Sequence, residues 1–159
     1  MGSGKTSVGR ALSDFLSKSF IDLDDEIEKQ QNLSIAEIFN QKGEDFFRNI
    51  EAQTIQSIQD DAIVSLGGGT PCYCKNLEWI LENGQLVYLE TSEKILFERV
   101  MNEIDKRPKL HQLEGPELQA HIVRLLKIRK PYYEKAHFTV KTDNKNPTEI
   151  ALEIKQLLS

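Results

Sequence analysis

Apolar residues recur at helical spacing near the start of the chain, where Val8, Ala11, Leu12, Phe15 and Leu16 predict a helix over residues 5–18. A short apolar step, Phe20-Ile21, then runs into Asp22-Leu23-Asp24, and residues 24–31 read as a second helix. Ser34 followed by Glu37 is a capping-box pattern that starts another helix through Phe39. Between residues 44 and 59, Phe47, Ile50, Ile55 and Ile58 give one amphipathic face. The periodicity then changes. Residues 62–66 form a short apolar run that leads directly into Gly67-Gly68-Gly69, and residues 86–89 and 138–140 are two more such runs. Helices predicted over 92–101, 117–130 and 147–158 fill the gaps. Short apolar strands alternating with helices of this length predict a parallel α/β sheet covered on both faces. Residues 102–115 mix charge, Pro and Gly without a period and predict a long functional loop.

Composition narrows the class. With 159 residues and no repeat or linker-like tract, one domain spanning 1–159 is expected. About two thirds of the unfolded surface, roughly 26,000 Å² falling to roughly 8,000 Å², is buried on folding at this size. No run of about 18 apolar residues exists, so no membrane span is expected. The 20 Lys+Arg against 25 Asp+Glu leave a net charge of -5, which argues against a general binder of nucleic acid or anionic membranes. Cys72 and Cys74 are too few for a disulfide framework or a complete zinc site, and the first residues lack a basic-then-apolar leader. A reducing cytoplasm is the expected compartment.

Candidate chemistry begins at Met1-Gly2-Ser3-Gly4-Lys5-Thr6, the back end of the phosphate loop G-x-x-x-x-G-K-[ST]. Glycines let successive backbone N–H groups converge on phosphate oxygens, and the following helix presents its positive N-terminus to the same anion. Lys5 would reach the β- and γ-phosphates and the Thr6 hydroxyl would ligate Mg²⁺. The competing reading is a Gly/Ser-rich tail with a chance Gly-Lys-Thr. The motif's first glycine would fall about two positions before Met1, and the strand that feeds the loop before that. An upstream start supplying that strand is the favoured expectation, because a sheet without it would expose apolar surface and leave the loop unanchored.

Asp22-Leu23-Asp24-Asp25-Glu26 follows the first apolar strand, at the carboxyl end where α/β sheets bind ligands. One carboxylate there suits a water-mediated Mg²⁺ contact and another a substrate hydroxyl; a favourable acidic helix start explains the same residues. Arg48 and Glu51 lie one helical turn apart, as a plain surface pair or as a fork for a substrate carboxylate held by its acid neighbour. Three consecutive glycines, Gly67 to Gly69, suggest a backbone approached closely by a ligand, against the plainer reading of a flexible turn. Arg107 sits in the long loop, suited to closing over phosphoryl oxygens, and Arg129 stands near a helix end, where it could simply complement the dipole. His111, His121 and His137 have no ligand-like spacing.

Taken in order, GSGKTSVGRAL, FIDLDDEIE, SIAEIF, GEDFFRNIE, SLGGGTP, VYLE, KRPKL and RKPYYEKA make the chain resemble shikimate kinases, small P-loop kinases of the nucleoside-monophosphate-kinase type. The resemblance spans nearly the whole chain. It implies a three-layer P-loop NTPase fold with a nominally five-stranded parallel sheet, a substrate-binding region over about 22–60 and a lid over about 102–116. The implied reaction is transfer of the ATP γ-phosphate to the 3-hydroxyl of shikimate, on the route to chorismate and the aromatic amino acids. By matching position, the resemblance assigns Gly2, Ser3, Gly4, Lys5, Thr6 and Ser7 to the ATP phosphates, with Thr6 and Asp22 at Mg²⁺. It assigns Asp24 to the accepting hydroxyl, and Arg48, Gly67, Gly68, Gly69 and Arg129 to shikimate. Arg107 goes to the transferring phosphate, and Arg99 and Lys145 to the nucleotide. Lys5, Asp24 and Arg107 are thus the expected catalytic residues, in a monomer that binds neither nucleic acid nor membrane. Lys109 departs from the Arg-Pro-Leu-Leu usual in such lids. A gluconate kinase, a nucleotide-binding module without turnover, and a truncated inactive paralogue are the competing readings.

Overall fold

Glycine geometry opens the chain in the computed structural model, which describes residues 2–59, 61–102 and 115–159. Gly2 and Gly4 hold φ values of 68° and 82°, left-handed angles that a Cβ disfavours. Gly4 hands the chain to α1 (Lys5–Leu16) with no capping side chain. Gly9, on the buried face of α1, allows close packing on β1 (Ser19–Asp22): an added Cβ would sit 2.5 Å from Cε2 of Phe20. Asp22 ends β1 and caps α2 (Leu23–Gln31), accepting from the Asp24 N–H. Ser34 and Glu37 form the expected capping box at the start of α3 (Ile35–Ser57). Gly43, at φ 84° and ψ 172°, breaks α3 into two helical segments. Nothing lies within 4 Å of a Cβ built there, so backbone conformation rather than packing selects the glycine.

β2 (Ala62–Ser65) runs parallel to β1, with Ser19 opposite Ala62 and Asp22 opposite Ser65. The chain then passes through a 3₁₀ turn (Thr70–Cys72) and α4 (Asn76–Asn83) to β3 (Val87–Glu90). After α5 (Glu93–Asn102) and α6 (Gly115–Tyr133), β4 (Phe138–Lys141) pairs parallel to β3, and α7 (Pro147–Leu157) closes the described chain. Among the described residues the parallel strands therefore form two pairs, β1–β2 and β3–β4. One core serves both. Val8 and Leu12 of α1 and Ile150 and Ile154 of α7 pack against Ile63 of β2 and against Val87 and Leu89 of β3. On another side, Leu23, Ile27, Ile38 and Phe47 pack with Ile80, Leu66 and Leu86.

Two elements differ from the pattern-based expectation. α4 was not anticipated: it spans eight residues, and its N-cap, Lys75, is left-handed at φ 57° with no side-chain cap, so the usual start signal is absent. α6 continues past Pro131 to Tyr133, where a stop at Lys130 was expected. The Glu134 N–H closes the last turn on the Lys130 carbonyl at 2.9 Å, and Tyr133 is held against Tyr88 at 5.1 Å between ring centroids. Tertiary anchoring offsets the donor that proline lacks. The expected lid falls largely on 103–114, outside the described residues, together with Arg107, Lys109 and His111. No helix among the described residues is long and apolar enough to cross a membrane.

The α1–β1 contact is testable. Gly9→Val forces the Phe20 ring aside and is expected to cost about 1–3 kcal/mol, or about 5 °C in Tm by calorimetry. Phe20→Ala in that background should cost less than it does alone by at least about 0.5 kcal/mol; strict additivity would refute the contact.

Candidate active site

Lys5 and Thr6 occupy the first turn of α1, where backbone N–H groups have no intrahelical acceptor. The Thr6 hydroxyl donates to Oδ2 of Asp22 at 2.8 Å, while Oδ1 of the same carboxylate accepts from the Asp24 N–H at 3.2 Å. One carboxylate thus joins the phosphate-loop helix to the start of α2. Thr6 and Asp22 together offer two hard oxygen donors, the type Mg²⁺ takes when phosphates and water complete its shell. Among the described residues no group of three or more His, Cys, Asp or Glu side chains is arranged to hold a metal by itself.

Asp24 is the perturbed acid. Burial chiefly, then the charges of Asp22, Glu51 and Glu28, push its pKa up to about 6, and the nearby Lys5 ammonium works in the opposite direction. A carboxylate with its ionised form disfavoured is a better proton acceptor than an ordinary one.

Arg48 is caged. Its Nη1 donates to Oε2 of Glu51 at 3.0 Å, and its Nε and Nη2 donate to Oε1 of Glu44 at 3.2 and 2.9 Å. The guanidinium lies 4.1 Å from the Tyr73 ring centroid and 5.0 Å from that of Phe47. The side chain is 12% exposed and that of Glu51 is 1% exposed. Burial opposes the Arg48 charge, and Glu51 and Glu44 outweigh it, so its pKa stays above the ordinary arginine value. The second oxygen of Glu51 accepts from the Thr70 hydroxyl at 2.6 Å. That bond ties α3 to the glycine turn.

Two of the three glycines pack directly against these groups. A Cβ at Gly67 would sit 3.2 Å from Oε1 of Glu51 and 3.3 Å from Oδ1 of Asp24; one at Gly69 would meet both terminal nitrogens of Arg48 at 3.0 Å. On the far side, the Tyr133 hydroxyl donates to the Gly68 carbonyl. Burial raises the pKa of the Cys72 thiol, while the nearby Arg129 and Arg48 charges both lower it.

The predicted site residues gather unevenly. Lys5, Thr6, Asp22, Asp24, Arg48 and the glycine turn form one connected group, with Arg129 at its border through Tyr133 and Cys72. Ser3 is buried beneath the loop and Ser7 is exposed on α1. Arg99 reaches the loop from α5, donating from Nη1 to the Gly2 carbonyl at 3.2 Å. Lys145 turns its ammonium to Glu153 on α7. Sequence reasoning passed over Thr70, Tyr73 and Tyr133. Thr70 stands directly after the glycines and Tyr73 between the two cysteines, but neither position carries a spacing rule that announces a contact with Glu51 or Arg48.

A lysine and hydroxyl at an uncapped, glycine-led helix N-terminus, beside a half-buried acid just past a strand's carboxyl end and a caged arginine on α3, define a P-loop kinase. The family model for shikimate kinase matches residues 1–159. The shikimate kinase of Phocaeicola vulgatus is 37% identical over 145 residues, covering 90% of this chain and 83% of the relative. That of Flavobacterium johnsoniae is 37% identical over 164 residues, covering 100% and 95%. The crystal structure of shikimate kinase from Bacteroides thetaiotaomicron superposes with a TM-score of 0.93 at 31% identity, covering 99% of this chain and 93% of that one. The chain belongs to the shikimate kinase family. It is an enzyme, a phosphotransferase with ATP as co-substrate.

Two substitutions probe the charge arrangement. Glu51→Gln leaves Arg48 without its buried counter-charge and should cost about 3 kcal/mol in urea unfolding, whereas Glu44→Gln, at the exposed end of the cage, should cost about 1 kcal/mol or less. For Asp24, the folded value near 6 lies above the unfolded value, so its favourable contribution is complete at acid pH and is lost as pH rises through about 6. Asp24→Asn should therefore raise Tm at about pH 7.5 and raise it much less at about pH 4. Equal shifts at both pH values would show that Asp24 is not held protonated by its surroundings.

Proposed function

We propose that this chain transfers the γ-phosphoryl group of ATP to the 3-hydroxyl of shikimate, giving shikimate 3-phosphate on the route to chorismate and the aromatic amino acids. The observation that carries the reading is the close packing of Gly67 against Asp24 and Glu51 and of Gly69 against Arg48, which leaves no room for a side chain at either glycine. A proton acceptor and an arginine held on either end of one turn suit a small acid that carries a hydroxyl at one end and a carboxylate at the other. A homologous structure, the shikimate kinase of Acinetobacter baumannii in complex with shikimate, is 34% identical to this chain with a TM-score of 0.87.

In this reading Arg48 and Arg129 take the carboxylate, where planar guanidinium forks match its geometry. Asp24 accepts the hydroxyl proton and orients the oxygen toward the γ-phosphate. Lys5 and the N–H groups of the loop hold the phosphates, joined by Arg107 from the lid at 102–116, with Arg99 and Lys145 serving the nucleotide. Thr6 and Asp22 would hold Mg²⁺, which when bound would supply charge neutralisation at the phosphate oxygens. Catalysis is then mostly positioning and charge compensation. The protein acts as a monomeric single domain in the cytoplasm, with residues 22–60 forming the acceptor region.

A coupled ADP-release assay separates the readings. ADP release should depend on shikimate and not on gluconate; the reverse dependence, or nucleotide binding with no turnover on either acid, would overturn the assignment. Arg48→Ala and Arg129→Ala should raise the shikimate KM by about 10- to 100-fold with a smaller effect on kcat, while Lys5→Ala lowers kcat. The acid limb of kcat/KM should report Asp24 ionisation, activity falling as pH drops through about 6.

A further inference from the structure

The Arg48 guanidinium has its donors engaged before any acceptor arrives. Its Nε–Nη2 fork closes on Oε1 of Glu44, at 3.2 and 2.9 Å. At the outer end Nη1 donates to Oε2 of Glu51 at 3.0 Å, and a Cβ at Gly69 would stand 3.0 Å from both Nη1 and Nη2. The rings of Tyr73 and Phe47, with centroids at 4.1 and 5.0 Å, pack on the guanidinium as well. An arginine fork is shaped for one carboxylate. Here that carboxylate is the chain's own. The two acids on Arg48 are held very differently. Glu51 is buried, and its second oxygen is fixed by the Thr70 hydroxyl at 2.6 Å. The Glu44 side chain is 52% exposed and follows the Gly43 break directly, so no helical turn precedes it. Among the described residues its carboxylate bonds only to Arg48. If it lets go it is not stranded, because water reaches it and the positive start of the second helical segment lies beneath it.

We propose that Glu44 is a built-in stand-in for the acceptor's carboxylate: it occupies the Nε–Nη2 fork of Arg48 in the free enzyme, and a small carboxylic acid binds by displacing it. The proposal rests on the reading that Arg48 takes the acceptor's carboxylate, and it makes Glu44 a specificity-determining residue. Between turnovers the stand-in keeps a largely buried cation paired, which an emptied fork would not. An acceptor that carries a carboxylate restores at the fork what Glu44 gives up, and its like charge helps to drive Glu44 into water. A neutral molecule of the same shape restores nothing and meets an Arg48 still paired. Glu51 cannot play this part, because its release would leave a buried charge and the Thr70 hydroxyl without a partner. The exchange lowers affinity by no more than about 10-fold, since an ion pair with one partner in water is weak.

Calorimetry on the full chain tests this with two variants and two ligands. Glu44→Ala empties the fork, and Glu44→Gln keeps the shape and loses the charge; the ligands are shikimate and its uncharged methyl ester. The shikimate Kd should fall about 3- to 10-fold in Glu44→Ala and by less in Glu44→Gln, while the Kd of the ester stays where it was. A residue that merely held Arg48 in position would move shikimate affinity the other way. Weaker or unchanged shikimate binding in both variants therefore overturns the proposal. An equal gain for the ester overturns it too, because Glu44 would then be a steric door and not a stand-in for charge. If neither variant folds, the unaltered enzyme decides. Its crystal structure with shikimate should show the Glu44 carboxylate more than about 4 Å from Nε and Nη2 of Arg48, beyond ion-pair distance, with the acid's carboxylate in its place. Glu44 still on the fork beside bound shikimate would refute the exchange and leave the acceptor reading intact. Failure of that reading looks different: shikimate seated away from Arg48, or bound equally well by Arg48→Ala, removes the acceptor assignment and the role of Glu44 with it.

Discussion

Glu51 is the residue on which the acceptor side of the molecule turns. Its carboxylate is almost wholly removed from water, and a charge so placed persists only when both oxygens are matched. One oxygen meets the Arg48 guanidinium and the other the Thr70 hydroxyl. Helix α3 and the glycine turn are thereby fixed to each other through a single side chain. Because Gly67 presses against that carboxylate and against Asp24, the spacing between the arginine cage and the acid is set by backbone rather than by flexible side chains. Such pre-set spacing is what transfer chemistry governed by orientation requires.

The neighbouring acid corner is organised by repulsion between like charges. Asp22, Glu28 and Glu51 crowd Asp24, and Lys5 answers them from the first turn of α1. That crowding disfavours the ionised acid in the resting protein and is an instance of a functional site held at some cost to stability. The hydroxyl bond from Thr6 to Asp22 keeps the loop helix registered against this corner.

Much of this was readable from residue order. The Ser34–Glu37 capping box, the short apolar strands and the Gly-Ser-Gly-Lys-Thr loop follow local rules, and each appears where those rules put it. The pairing of Arg48 with Glu51 belongs to both readings of that helix, since one helical turn separates them, but its burial does not follow from the spacing. What could not be read was long-range. The stacking of Tyr73 on Arg48, the bond from Thr70 to Glu51 and the reach of Tyr133 to Gly68 span turns and helices with no fixed sequence interval. α4 escaped because it is short and starts without a capping side chain, and the extension of α6 past Pro131 because tertiary contacts overrode a local stop signal.

The break at Gly43 has a consequence for the two stretches it separates. Its backbone angle is one that mirror-image residues adopt without strain, and open space surrounds the missing side chain. An L-alanine there would thus find room for its methyl group and still strain the backbone. The stretch before the break is capped by its own Ser34 and pinned to the core by Ile38, so the glycine lets it leave at its own angle while the stretch bearing Arg48 and Glu51 keeps its register.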